Sequence, residues 1–125
     1  MKKGQVLITL IIFVAISMII ISATVTMIAV NSEAASVNQQ SLLIKQAAEN
    51  GIENALLRLL RDPSYSGETL PASISGYNTV VTVTGDELNK TIISTTTTDN
   101  YQRKIKVKIN YNDSIMIVTF WQDVL

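Results

Sequence analysis

The stretch KKGQVLITLIIFVAISMIIISATVTMIAV, residues 2–30, decides how the rest of this chain is read. Lys2, Lys3 and Gly4 precede an apolar run that opens at Val6, and no charged side chain follows until Glu33. A helix crosses the hydrocarbon core of a bilayer with roughly 20 apolar residues, so this run is long enough to span one. In water its composition leans towards strand, because Val6, Ile8, Ile11, Ile12, Val14 and their successors lose χ1 freedom against a preceding helical turn. In lipid the backbone finds no water, and a single span satisfies its own N–H and C=O groups only as a helix. The polar residues inside the run (Thr9, Ser17, Ser22, Thr24, Thr26) are hydroxylic and can bond back to a carbonyl one turn earlier. With Lys2 and Lys3 before the span, the positive-inside rule predicts a cytoplasmic N-terminus and an exported remainder. A cleaved secretory signal would carry a shorter apolar region of about 7–15 residues. Glu33-Ala34-Ala35 would also make a poor cleavage site.

Working outward, the helical signal continues past Val30 without Pro or Gly at the junction. Ala34, Val37, Ser41, Ile44, Ala48, Ile52, Ala55, Leu56, Leu59 and Leu60 fall in steps of three and four, one face of an amphipathic helix. Arg58 and Arg61 suit its carbonyl end, and Asp62-Pro63 is predicted to stop it. Residues 63–76, rich in Ser, Gly and Pro, read as a loop. The period then changes to two. Strands are predicted over 77–84, 90–97, 103–111 and 114–121, with Ile105, Val107, Ile109 and Tyr111 alternating against Lys104, Lys106 and Lys108. The expected fold is α+β, a long N-terminal helix packed on an antiparallel meander of about four strands. The helix would be membrane-spanning in its first half (5–30) and amphipathic in its second (31–62). The sheet (77–125) would form a globular head with helix residues 48–62, and Phe120 and Trp121 are expected to seal it against the helix.

Composition narrows the chemistry. The chain has no cysteine and no histidine, and ten basic residues balance ten acidic ones. Thiol and disulfide chemistry is excluded, and the residue on which most triads and catalytic metal sites depend is missing, so no enzyme, metal or cofactor is expected. Arg103, Lys104, Lys106 and Lys108 invite a nucleic-acid reading, with Tyr101 or Tyr111 available to stack. The preferred alternative is a solvated sheet face among acidic neighbours, its lysines discouraging edge pairing. The run from Ser94 to Thr98 suits a half-exposed strand better than glycosylation. Asp86, Glu87 and Asn89, and likewise Asp99 and Asn100, lack the ligand spacing of a calcium loop and read as turns.

Leader, glycine, apolar helix, amphipathic continuation, loop and small sheet together resemble the type IV pilin-like family of pilins and pseudopilins. The matching residues are Lys2, Lys3 and Gly4, then Gln5, Val6, Leu7 and Ile8. The stretch AAENGIENA, residues 47–55, is similar to one in many minor pilins. The resemblance covers the whole chain in layout and the first 60 or so residues in texture. It implies a leader of residues 1–4, cut by a prepilin peptidase between Gly4 and Gln5, with methylation of the new N-terminus. It also implies lateral assembly through the apolar helix with other pilin-like subunits, served by inner-membrane assembly machinery. The expected location is a single-pass cell membrane protein with its head outside, and afterwards a filament at the cell surface. Two positions depart from the pattern. Gln5 replaces the usual Phe or Met, and Thr9 stands where the fifth mature residue is usually Glu. By resemblance the second departure points to a minor subunit. The competing expectation is an uncleaved single-span protein with an exported binding or sensing domain, and a DNA-uptake minor pilin is a third.

Overall fold

A computed structural model describes residues 2–72 and 76–124. Met1, residues 73–75 and Leu125 lie outside the described residues, and with them Ser73 and Ser75 of the loop expected from the sequence. One helix, α1 (Lys2–Arg61), precedes five strands: β1 (Gly67–Leu70), β2 (Thr79–Gly85), β3 (Asn89–Thr97), β4 (Gln102–Asn112) and β5 (Ile115–Val124). The chain divides into two compact units, Met1–Gln39 and Gln40–Leu125.

The first unit is helix alone. Its large apolar side chains from Val6 to Val30 are all between 48% and 69% exposed, so no protein surface shields them. Four hydroxyls are spent on the helix's own backbone: Thr9 donates to the Gln5 carbonyl at 2.9 Å, Ser17 to Phe13 at 2.8 Å, Thr24 to Ile20 at 2.9 Å and Thr26 to Ser22 at 2.9 Å. This back-bonding removes the polar cost of each hydroxyl and leaves an apolar cylinder, long and apolar enough to cross a membrane.

The second unit has its own core. Ile44, Ala47, Ala48, Gly51, Ile52, Ala55 and Leu59 form the buried stripe of α1. Of these, Ala48, Ile52, Ala55 and Leu59 form one core with Leu70, Val81, Val83, Ile92, Ile105, Val107 and Ile109 from one face of the sheet. The stripe starts later than the sequence period suggests. Ala34 and Val37 are exposed, and Leu60 is exposed as well, while Ala47 and Gly51 replace them at the contact. Small residues are favoured there because the helix approaches the strands closely.

The sheet is an antiparallel meander in the order β1-β2-β3-β4-β5. Its fifth member corrects the loop expected over 63–76, since Gly67–Leu70 pairs with β2 from Gly67↔Thr82 to Leu70↔Thr79. The four residues of β1 are too few to show a strand period, and pairing with β2 supplies the order that propensity does not. The alternation in β2 to β4 holds. Thr79, Ser94 and Thr96 share the helix-facing side with the aliphatic core, and the hydroxyls of Thr79 and Thr96 meet at 2.9 Å. The turn joining β4 to β5 uses Asp113 (φ 48°) and Ser114 (φ 67°), the left-handed pair that a two-residue hairpin requires.

Candidate functional site

The N-terminal positions stand on an uninterrupted helix. Gly4 has open space where a Cβ would be, and the first turn carries no acidic side chain. Gln5 and Thr9 are one turn apart, joined by the hydroxyl-to-carbonyl bond described above. Thr9 thus has neither a charge nor an uncommitted donor to offer a neighbour.

The predicted basic cluster is divided by strand alternation. Arg103 lies on the helix-facing side of β4, where its Nη2 donates to Asp123 Oδ2 of β5 at 2.7 Å. It cannot act with Lys104, Lys106 and Lys108, which point away from the helix. Register places Lys104 opposite Thr95 and Val124, Lys106 opposite Ile93 and Gln122, and Lys108 opposite Thr91 and Phe120. Tyr111 is also on the wrong side for stacking over the lysines. It packs against the core, and its hydroxyl donates to the Leu59 carbonyl at 3.1 Å. Tyr101 sits in the turn before β4, with the Thr98 Oγ1 accepting from its backbone N–H at 3.1 Å. The aromatic ring that does lie with the lysines is Phe120, with Lys108 Nζ 5.7 Å from its centroid. A register shift between Lys108 and Ile109 brings it there, because the extra residue on β5 swaps which side chains face outward.

That shift also overturns the sealing role expected of Phe120 and Trp121. Phe120 faces away from the helix. Trp121 faces the helix side, opposite Val107, but β5 is the edge strand and Trp121 stays 46% exposed. The lysines do not guard an edge either, since β4 is interior and the edges are β1 and β5.

One constellation had only a weak signal in the sequence. Glu68 Oε1 on β1 accepts from Asn54 Nδ2 at 2.8 Å and Tyr65 Oη at 3.0 Å, and pairs with Arg58 Nε at 2.6 Å. Burial, and then the bond to Glu68, push the Tyr65 phenol up to about 12. Arg58 lies 5.7 Å over the same ring. The arrangement clamps β1 to the end of α1. The two potential oxygen-rich loops are turns: Asp86 N–H donates to the Asn89 carbonyl at 2.9 Å, and Thr98 N–H to the Tyr101 carbonyl at 2.7 Å.

No protein family matches this chain by sequence, and neither a curated protein nor a solved structure matches it.

Proposed function

We propose that this chain is a minor subunit of a type IV pilus or a type II secretion-like filament, inserted in the cell membrane and then assembled through its N-terminal helix. The observation that carries the reading is the first unit: a helix with every large apolar side chain from Val6 to Val30 exposed around its whole circumference. A permanent anchor and an assembly helix both begin in lipid. Without a hydrophobic driving force between helices in a membrane, their association rests on close packing, which small positions such as Ser17 and Ser22 permit. The second unit buries its own core and so can stand outside the membrane as a head, with no catalytic constellation asked of it.

In this reading the N-terminus is cytoplasmic and the head extracytoplasmic. A prepilin peptidase cuts between Gly4 and Gln5, and the partners of the mature helix are other pilin-like subunits and the inner-membrane assembly machinery. The test is intact mass of the protein isolated from its native membrane. A species lacking residues 1–4, with one added methyl on Gln5, is the expected result. A mass that retains the leader would mean an uncleaved single-span anchor carrying an exported binding domain, and the assembly mechanism would fall.

A further inference from the structure

The side of the sheet turned away from α1 has an unusual charge distribution. Its charged side chains are Lys104, Lys106 and Lys108, all on β4. None of the acidic residues of the second unit shares it. Glu49 and Glu53 are on α1 and Asp62 follows it, Glu68 and Asp123 point to the helix side, and Asp86, Glu87, Asp99 and Asp113 occupy turns. The net neutrality of the chain therefore conceals a one-sign row. Edge protection does not explain it, because β4 is an interior strand.

A second row runs beside the first. On β5, Ile117 and Phe120 project from the same side of the sheet, 47% and 41% exposed, and Phe120 contacts Lys108. Thr91 and Thr95 of β3 flank the lysines on their other side. Alternate residues of a strand are about 6.8 Å apart, so the ammonium groups repeat at about the length of one extended nucleotide. From the juxtaposition of a cationic row with an aromatic and aliphatic row one strand away, we infer that this face binds single-stranded nucleic acid. Phosphates follow Lys104, Lys106 and Lys108, and base faces rest on Phe120 and Ile117. A single strand has the matching division, a charged backbone along one side and exposed π-faces along the other, whereas a duplex hides its bases. The inference concerns the second unit and stands whether or not the leader is cleaved.

The test is fluorescence anisotropy of a labelled oligothymidylate of about 12 nucleotides with the full chain in neutral detergent micelles. Three phosphate contacts to a single strand predict a log–log salt slope of about −2, hence binding about twenty-fold weaker at about 200 mM than at about 50 mM salt. Lys106→Gln is expected to reduce that slope by about 0.7. Phe120→Ala is expected to weaken binding at least about five-fold and leave the slope alone, which loss of charge would not do. Far-UV circular dichroism of both variants checks that the sheet is intact. Absence of binding, a slope indifferent to Lys106→Gln, duplex bound as tightly as single strand, or binding only to phosphatidylglycerol vesicles would each overturn the inference.

Discussion

Gly51 is a residue at which helix and sheet approach closely. A Cβ built there meets Ser94 Oγ, with Thr79 Cγ2 at 2.9 Å and Val81 Cγ2 at 3.1 Å. Two effects of Gly51→Ala oppose each other. Alanine favours the helix by about 1 kcal/mol, while overpacking a filled site costs about 1–3 kcal/mol. Because the obstructing atoms belong to short, buried side chains on two paired strands, with little room to move aside, the steric term should win, with a net loss of about 1 kcal/mol in urea unfolding. Ser94 decides whether this account is right. Its hydroxyl is buried with no hydrogen-bond partner, and it is the nearest obstruction. Ser94→Ala should therefore be neutral or stabilising alone, and in the double variant should recover most of the loss. Additive effects of the two changes would mean that their contact is not the cause.

At the scale of elements, β1 is a short edge strand held by polar contacts to the end of α1. Tyr65 reports on that attachment. An unfolded tyrosine ionises near pH 10, and the folded phenol does so at about 12. The fold therefore favours the neutral form. Its contribution is intact below about pH 10 and is lost as the pH rises through 12. Stability measured by urea unfolding should hold level up to about pH 10 and then fall, and Tyr65→Phe should flatten the fall. Tyr111, also shifted upward by burial, leaves a residual slope that Tyr111→Phe should remove. If Tyr65→Phe left the alkaline profile unchanged, the clamp would not be sensing this phenol. The contrast with β4 shows what the sequence made legible. From Lys104 to Tyr111 β4 alternates cleanly, so its two faces can be read there from side-chain type. β1 has four residues, and its place depends on partners at distant positions. The same limit applies to β5, where the register shift that sends Phe120 outward depends on pairing with β4. Grouping Arg103 with the lysines failed for a plainer reason, since odd and even residues of one strand face opposite sides. The long helix was legible because the absence of charge from Gly4 to Ser32 leaves one backbone solution in lipid.

For the whole molecule, the proposed assembly turns on what becomes of the charge created at Gln5 when the leader is cut. The new ammonium would sit at a helix N-terminus, where the macrodipole disfavours a cation. In a water-poor packing of helices an unpaired charge costs several kcal/mol. This chain offers no carboxylate in the first turn, and Thr9 has committed its hydroxyl to the Gln5 carbonyl. Copies stacked along a filament could not compensate one another's termini, which favours occasional incorporation or a place where the terminus remains hydrated. Thr9→Glu supplies the missing charge one turn from the cut. It should raise the number of copies per filament several-fold, counted by quantitative mass spectrometry of sheared filaments against the major subunit. Thr9→Gln adds similar bulk without charge and should leave the count where it is. An equal rise in both variants would assign the effect to packing. No rise in either would mean that another part of the subunit, the head included, sets its position.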